Sequence, residues 1–423
     1  MMFILFFIGY QMLQILALPV VVVFFLLRTY KGKQTFGNVA HRFGFVPRNL
    51  GAPSIWFHAV SVGETLATEY FIHDLATSRQ KIYLTSGTAG AVQVSKKFSV
   101  TYRAYLPFDF LPCMLLAFWR IKPKALVIIE GDWWPNLIMV AKLFRVPVYG
   151  LNARVTARTG WRKLLFKIMC LGVLCTIKQI FTQSDQHAQI FVDNGVPINA
   201  VQTLGNIKAY NVWAKRKALN IIAKAPLHKV IMAGSIHPGE AAVFFDCYAI
   251  LKKQFPNLKL IVIPRHLHWL EQCTAMAKEI GITYVLRLKP DTTFAATLDN
   301  HDIIIGGALG IMFELYAYAS LFHLGGTFVP IGGHNLLEPA AWGIASIVGP
   351  HNHTCADTLQ DLERVEAGSV ALDGKALLEQ SAQYLADPAT LAAAGVRAAL
   401  WLAADANRCS EALQRFATTL RSS

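Results

Sequence analysis

The chain has 423 residues, of which 54% are hydrophobic and 16% are charged. This composition excludes a disordered chain, and the length favours two domains over a single small core. The net charge of +14 is unevenly spread, because residues 28–219 carry 25 Lys or Arg but only 8 Asp or Glu. A basic first half predicts an anionic partner. The sequence has no zinc-finger, RNP-like or Arg/Lys-arm pattern, so we do not expect this partner to be nucleic acid.

Residues 1–27 contain no charged side chain, and Gln11 and Gln14 are their only strongly polar members. A helix over this stretch, at about 1.5 Å per residue, matches the roughly 30 Å hydrocarbon core of a bilayer. Three cations follow between residues 28 and 33, which places the downstream chain on the cytoplasmic side. We predict an N-terminal membrane anchor; a cleaved signal peptide and a helix lying in the interface are the alternatives.

After the anchor, apolar runs typical of buried strands alternate with helix-compatible stretches. The runs lie at 54–60, 81–85, 125–130, 146–151, 179–183 and 201–204, and then at 229–233, 259–263, 282–286, 302–305, 321–324 and 345–348. This alternation indicates parallel sheets covered by helices on both faces. We predict an α/β fold of two Rossmann-like, doubly wound domains that face each other across a cleft at the carboxyl ends of their strands.

The domain boundary is predicted near residues 215–227, where the charge balance changes and Pro226 interrupts the pattern. The last stretch is rich in Ala and Leu and predicts helices, the final one packing back on the first domain. The predicted organisation is an anchor at 1–27, a first domain at 28–219, a second domain at 220–405 and a C-terminal helix at 406–423.

The segment His58-Ala-Val-Ser-Val-Gly-Glu64 follows the first predicted strand. Ser61 can cap the next helix, which places Glu64 in its first turn at the carboxyl edge of the sheet. A carboxylate there is favoured by the helix dipole alone, so a purely structural role is one interpretation. The other is a general base that accepts the proton of a substrate hydroxyl.

Charged side chains follow three further strands of the first domain. Glu130 begins the segment Glu-Gly-Asp-Trp-Trp-Pro-Asn136, Arg154 lies in Asn152-Ala-Arg, and Lys208 ends Gly205-Asn-Ile-Lys. Individually such residues are often solvated loop charges. Because they recur at successive strand ends, we expect them to share one edge of the sheet.

The second half contains two glycine-rich turns. Ala233-Gly-Ser-Ile-His-Pro-Gly-Glu240 and Gly325-Gly-Thr-Phe-Val-Pro-Ile-Gly-Gly-His-Asn-Leu-Leu-Glu-Pro339 each lead from a strand into a helix. Free amides at such turns can hold a phosphate, and Glu338 could accept ribose hydroxyls, although an ordinary helix entry gives the same pattern. Arg265 offers a guanidinium for a base or phosphate. His334, His351 and His353 lack an acidic pair beside them, so we expect no metal site.

Together these segments resemble the 3-deoxy-D-manno-octulosonate (Kdo) transferases, membrane-anchored GT-B glycosyltransferases that attach Kdo to the lipid A precursor of lipopolysaccharide. The resemblance rests on SVGE, WPN, NAR, GN-x-K, AGS-x-H-x-GE, PRH and GGHN-x-x-EP, which occur in this order up to about Asp357. It implies CMP-Kdo as donor, the lipid A precursor as acceptor, and transfer with inversion and without metal or other cofactor. With the anchor and its following cations, this places the action at the cytoplasmic face of the inner membrane, and the basic first half predicts association with the anionic lipids of that membrane.

The resemblance also assigns site residues by position. Glu64 matches the proton acceptor, and Glu130 and Lys208 match the residues that stabilise the transition state. The implied CMP contacts are Pro264, Arg265, Leu309, Gly310, Ile311, Asn335, Leu336, Leu337 and Glu338.

Two segments depart from the family pattern. The family usually has an acidic residue and then Met-Gly-Glu-Leu before the glycine-rich loop, whereas this chain has Gly306-Gly-Ala-Leu-Gly-Ile-Met312, which contains no carboxylate. Thr354 and Cys355 replace the usual Asn-Phe. Backbone contacts to CMP can survive the first change, but any side-chain role of the missing Glu is lost, so donor choice and kinetics are open.

Two other functions remain as alternatives. One is a GT-B transferase that uses a UDP-sugar and a polyprenyl-phosphate acceptor. The other is a membrane-tethered binding protein whose catalytic residues have decayed; the presence of Glu64, Glu130, Lys208 and Glu338 argues against it.

Overall fold

The structure is a computed structural model that describes residues 6–17, 19, 23, 36–155, 160–219, 229–281, 283–287, 294–307 and 310–422. The chain divides into two units. The first comprises Met1–Asn211 and Ala406–Ser423, and the second comprises Val212–Asp405.

A seven-stranded parallel sheet forms the centre of the first unit, in the order β3-β2-β1-β4-β5-β6-β7. Its strands are β1 (Ser54–Ala59), β2 (Ile82–Ser86), β3 (Tyr102–Tyr105), β4 (Pro123–Ile129), β5 (Val148–Ala153), β6 (Gln179–Thr182) and β7 (Val201–Thr203). The described helices are α1 (Phe6–Ala17), α2 (Phe36–Arg42), α3 (Val62–Ala67), α4 (Glu69–Thr77), α5 (Ala89–Ser95), α6 (Leu111–Ile121), α7 (Pro135–Leu143), α8 (Gly160–Gly172), α9 (Asp185–Asp193) and α10 (Ile207–Ala218). This order is the doubly wound topology predicted from the sequence.

Both faces of this sheet are buried, which explains why its strands are apolar throughout rather than alternating. On β1, Trp56 packs into one core, while Ile55 and Phe57 pack into the core on the opposite face, and all three are fully buried. Parallel strands joined by crossover helices require this two-sided covering.

A second parallel sheet forms the centre of the second unit, in the order β10-β11-β9-β8-β12-β13-β14. Its strands are β8 (Val230–Ile236), β9 (Lys259–Pro264), β10 (Tyr284–Arg287), β11 (Ile303–Gly306), β12 (Leu321–Leu324), β13 (Ala345–Val348) and β14 (Gly368–Val370). The described helices are α11 (Ala241–Gln254), α12 (Leu270–Glu279), α13 (Phe294–Asn300), α14 (Met312–Leu315), α15 (Leu337–Ala341), α16 (Ala356–Arg364), α17 (Gly374–Ala386) and α18 (Pro388–Ser422). The predicted α/β fold with two parallel-sheet domains is confirmed.

The structure differs from the sequence prediction at the sheet edges and at the domain boundary. The edge strands β3 and β14 were not predicted, because they are short and only partly buried. The division between the units falls at Asn211, inside α10, whereas the change of charge pattern suggested a boundary after Leu219. Residues 220–227 of the predicted linker lie outside the described residues.

The predicted anchor over residues 1–27 lies partly outside the described residues, which in this range are 6–17, 19 and 23. Within them α1 covers only Phe6–Ala17, which is shorter than the roughly 20 residues that a bilayer requires. The described residues therefore do not support a membrane-spanning N-terminal helix.

Among the described residues, α18 is the one helix that is long and apolar enough to cross a bilayer. Its last part is instead a core helix of the first unit, because Cys409, Leu413, Phe416 and Leu420 pack against the sheet and are at most 3% exposed. Burial in the first unit thus accounts for the apolar residues of this last part of α18, whereas only 33% of the most apolar 18-residue stretch of the helix is buried.

Phe416 should be a major contributor to the stability of the first unit, since its ring lies 5.6 Å from Phe71, 5.0 Å from Tyr149 and 4.7 Å from Phe181. We expect Phe416→Ala to lower the free energy of unfolding by about 3–5 kcal/mol through lost burial and the cavity left behind. Denaturant unfolding measures the change. Leu400→Ala on the same helix, at a residue that is 65% exposed, is the control and should change stability little; equal effects of the two would contradict the packing.

Candidate active site

Glu64 lies in the first turn of α3, directly after β1. The Glu64 N–H donates to Ser61 Oγ at 3.2 Å, and the Ser61 hydroxyl donates to Glu64 Oε1 at 2.7 Å. The N–H of Val60 donates to Glu64 Oε2 at 2.7 Å. This capping box holds the carboxylate in one orientation. Glu64 therefore has the structural role at the start of α3 that the sequence allowed. Each of its carboxylate oxygens also retains a lone pair that can accept a hydrogen bond from a further donor.

Glu130 and Lys208 form an ion pair at the carboxyl end of the first sheet. Lys208 Nζ lies 2.6 Å from Glu130 Oε1, and Asn152 Nδ2 lies 3.4 Å from the same oxygen. Asn152 is fully buried, and its Oδ1 accepts from the N–H of Ile207, the residue before Lys208. The structure thus brings together residues near the ends of β4, β5 and β7, as their recurrence at successive strand ends predicted.

Glu130 and Asn152 both have a left-handed backbone, with φ of 60° at each. This conformation is unfavourable for residues other than glycine and asparagine. Glu130 adopts it directly after β4, and Asn152 adopts it near the end of β5. The strain at Glu130 is of a kind that is characteristic of functional sites.

Asp132 is a further carboxyl group of this site that the sequence analysis did not select. Burial, and then the negative charges of Glu64 and Glu130, raise the pKa of Asp132 to about 6. The first unit therefore gathers three carboxyl groups and one ammonium group at one edge of its sheet. The only sequence signal for Asp132 was its position two residues after Glu130.

In the second unit, Glu240 organises the two glycine-rich turns. Its buried carboxylate accepts hydrogen bonds from the N–H groups of His237 (2.8 Å), Gly326 (2.5 Å) and Phe328 (3.1 Å). Burial raises the pKa of Glu240 although these bonds oppose the shift. The sequence analysis gave Glu240 no role of its own.

At the longer glycine-rich turn, the main chain packs very closely against neighbouring parts of the second unit. A Cβ at Gly325 would lie 2.5 Å from the carbonyl oxygen of Ser235, and one at Gly332, where φ is +108°, would lie 2.6 Å from the His353 ring. Thr354 Oγ1 donates to the carbonyl oxygens of Gly332 and Gly333, at 2.6 and 2.7 Å. The unusual Thr354 thus has a structural role in this turn.

Basic side chains gather beside these turns. The His237 and His266 rings are 6.0 Å apart, and His237 Nε2 is buried without a hydrogen-bond partner among the described residues. Burial, and then the positive charges of His266 and Arg265, lower the pKa of His237. Burial also lowers the pKa of His334, and the charges of Arg265 and His237 act in the same direction. An anion here would meet a guanidinium and imidazoles that can become protonated donors.

Glu338 lies in the first turn of α15 and is only partly exposed. Burial raises its pKa, while the charge of Lys215 and a hydrogen bond with Asn335 oppose the shift. Lys215 Nζ also lies 3.9 Å from the centre of the Phe313 ring. Asn335 Oδ1 accepts from the N–H of Leu337 at 2.9 Å, which fixes the start of the helix.

The other residues that the resemblance assigned to CMP are placed as follows. Pro264 ends β9 and is buried, and Arg265 follows it in an exposed position. Gly310 has φ of +81°, Ile311 is 7% exposed, and Leu309 lies outside the described residues. Leu336 and Leu337 are buried. Among the described residues, no group of three or more His, Cys, Asp or Glu could hold a metal ion.

A family model described as 3-deoxy-D-manno-octulosonic-acid transferase (kdotransferase) matches residues 37–211. The 3-deoxy-D-manno-octulosonic acid transferase of Aquifex aeolicus is 32% identical over 74% of this chain and 81% of its own length. The protein of the same name from Chlamydophila psittaci is 31% identical over 81% of this chain and 80% of its own length. The chain belongs to the 3-deoxy-D-manno-octulosonic acid (Kdo) transferase family. It is an enzyme, a glycosyltransferase, as the motif order predicted.

Solved structures support the fold of this Kdo transferase family member. A putative UDP-N-acetylglucosamine 2-epimerase from Listeria monocytogenes superposes with a TM-score of 0.59 at 10% identity, and covers 88% of this chain and 98% of its own. At this identity the likeness concerns the fold alone, and it agrees with the predicted GT-B class.

Replacing Asp132 by Asn should stabilise the protein at neutral pH. The folded-state pKa of about 6 lies above the ordinary value of 3.8, so this carboxyl costs stability as the pH rises from about 4 to about 6, and the full cost is present above pH 6. We expect Asp132→Asn to raise the free energy of unfolding by about 1–2 kcal/mol at pH 7.5, an amount discounted for partial exposure. The gain should shrink as the pH falls towards 4.

Denaturant unfolding at several pH values measures this difference. Asp193→Asn, at an exposed residue of α9, is the control. A gain that is the same at pH 4 and pH 7.5 would contradict the assigned cause.

Proposed function

We propose that this Kdo transferase family member transfers Kdo from CMP-Kdo to a lipid A precursor, with inversion, in lipopolysaccharide synthesis. The observation that carries the proposal is the group formed by Glu64, Glu130, Asp132 and Lys208 in the first unit. Such a group offers a fixed carboxylate and a neighbouring ion pair, which suit proton removal from a hydroxyl and stabilisation of developing charge.

In the proposed reaction, Glu64 takes the proton of a glucosamine hydroxyl on the acceptor. The hydroxyl oxygen forms a bond to the anomeric carbon of Kdo as the bond from that carbon to the CMP phosphate oxygen breaks, and CMP leaves. One base on the face opposite the leaving group is what an inverting displacement requires. Glu130 and Lys208 are proposed to stabilise the transition state, with Asn152 keeping Glu130 oriented.

The donor site is proposed to lie in the second unit. Arg265 supplies positive charge for the CMP phosphate, and the imidazoles of His237 and His334 supply N–H donors, which would make a metal ion unnecessary. Glu338 is proposed to accept the ribose hydroxyls, with Asn335 holding the first turn of α15. The main-chain amides of the glycine-rich turns support the same assignment, because they can bind phosphate oxygens.

The acceptor and the membrane are proposed to meet the first unit. On α1 the apolar residues Ile8, Met12, Leu13, Ile15 and Leu16 are 51–77% exposed. Phe6 of this helix lies against Gly172 of α8. The exposed residues of α8 include the apolar side chains Trp161, Leu164 and Leu165 and the cations Arg162, Lys163 and Lys167. An apolar face beside basic residues suits an anionic bilayer, so we propose the cytoplasmic face of the inner membrane as the location.

Glu64→Gln should abolish transfer and leave the fold intact, because Gln can replace Glu in a capping box but cannot act as a base. We expect kcat to fall by about 100-fold or more, and CMP binding to be unchanged. Mass spectrometry of products from CMP-Kdo and lipid A precursor gives the rate. Glu69→Gln, at an exposed residue in the first turn of α4, is the control. Turnover near the wild-type rate in Glu64→Gln would remove Glu64 as the base.

Glu338→Gln should weaken CMP binding, because the loss of the charge removes a strong acceptor for the ribose hydroxyls. We expect the Kd for CMP to rise about 10-fold in calorimetric titration. Glu314→Gln, at an exposed residue of α14, is the control. An unchanged titration would contradict the ribose role. Binding of UDP but not CMP by the wild-type protein would contradict the proposed donor.

A further inference from the structure

Three polar side chains of α1 face the protein, although this helix lies in the most apolar stretch of the chain. Tyr10, Gln11 and Gln14 are partly buried, whereas Ile8, Met12, Leu13, Ile15 and Leu16 are exposed. This arrangement is the reverse of a soluble amphipathic helix, in which the apolar face is buried. The polar face of α1 must therefore have partners in the first unit.

Asn136 is the first of these partners. Its Oδ1 accepts from Gln11 Nε2 at 2.5 Å, and its Nδ2 donates to Gln14 Oε1 at 2.8 Å. The same Nδ2 donates to the carbonyl oxygen of Asp109 at 2.7 Å, and Gln14 Nε2 also donates to that oxygen. Asn136 is fully buried, so these hydrogen bonds replace water at its amide.

Asp109 is the second partner. Its carboxylate accepts from the Tyr10 hydroxyl at 2.7 Å and from the N–H groups of Asn136 at 3.0 Å and Leu137 at 2.8 Å. These two amides belong to the first turn of α7, where main-chain donors have no partner within the helix. One carboxylate thus joins α1 to the start of α7.

The start of α7 is also the end of the segment that carries the candidate catalytic carboxylates. Residues 130–136 run directly from Glu130 through Asp132 to Asn136. The first residue of this segment, Glu130, is held by Lys208 and Asn152. The last residue, Asn136, is held by Asp109 and α1. The position of Glu130 and Asp132 therefore depends on both attachments.

We propose that Asp109 and Asn136 are positioning residues of the transferase, and that α1 docks on them through Tyr10, Gln11 and Gln14 to fix the segment 130–136. In this proposal α1 is part of the catalytic unit as well as a surface for lipid. The inference rests on the proposed function only where it concerns turnover. The docking itself follows from the contacts of α1.

The test is the double variant Gln11→Leu with Gln14→Leu in the full-length protein, purified in a mild detergent. It removes the hydrogen bonds of α1 to Asn136 and makes the helix more apolar, so membrane binding is retained or strengthened. The matched control is Met12→Leu with Ile15→Leu, which changes the adjacent exposed positions to the same residue. Amide hydrogen exchange at residues 136 and 137 and the kinetics of transfer from CMP-Kdo are measured for both.

We expect exchange at residues 136 and 137 to accelerate about 10-fold in the glutamine variant and kcat to fall by a similar factor, with the KM for CMP-Kdo and the binding of CMP unchanged. The control should match the wild type in every measurement. The single variant Tyr10→Phe, which removes one hydroxyl, should show the same changes to a smaller extent. It keeps the proposal testable if the glutamine variant does not fold.

Wild-type exchange or wild-type kcat in a folded glutamine variant would overturn the proposal, since α1 would then be only a membrane attachment. A loss of kcat without faster exchange would also overturn it, because the effect would not pass through residues 136 and 137. Failure of the wild-type enzyme to use CMP-Kdo would instead refute the proposed function, and the exchange comparison would still decide whether α1 docks.

Discussion

Three carboxylates with little exposure, Glu64, Asp109 and Glu240, accept hydrogen bonds from main-chain N–H groups at strand ends or helix starts. Each of them fixes a turn that leads from the sheet into a helix, and the remaining candidate side chains take their positions from those turns. Burial without a cationic partner is unfavourable for a carboxylate, and it raises the pKa of Asp109 to about 6 and also that of Glu240. In both units, therefore, a carboxylate whose burial is electrostatically unfavourable orders a turn by accepting hydrogen bonds from main-chain N–H groups.

Most of the fold could be predicted because the central strands are buried on both faces. Strands such as β12 and β13 are buried throughout and contain one polar residue each, and their observed bounds equal the predicted ones. The edge strands β3 and β14 lack this signal, because most of their residues are only partly buried, although the similarly exposed edge strand β7 was predicted. The nature of the first 27 residues was harder, because the protein contacts of this apolar run are made by its few polar side chains.

The candidate site was predictable to the extent that parallel strands end at a common edge. Glu130 and Lys208 were selected on this ground, and they lie 2.6 Å apart. The role of Asn152 depends on backbone dihedral angles, and that of Asp132 depends on burial; neither can be read from the sequence alone. The partners of Gln11 and Gln14 lie 125 and 95 positions further along the chain, at Asn136 and Asp109, so a local pattern could not reveal them.

The left-handed backbone at Glu130 has a consequence for how this enzyme can change. Glycine at this position would relieve the conformational strain, which is of the order of 1–2 kcal/mol for a residue with a side chain, and would make the folded state more stable. The same change would delete the carboxylate that Lys208 contacts. If Glu130 stabilises the transition state as proposed, selection for thermal tolerance and selection for turnover act on this codon in opposite directions. A library screened only for heat resistance would then be expected to enrich inactive enzyme.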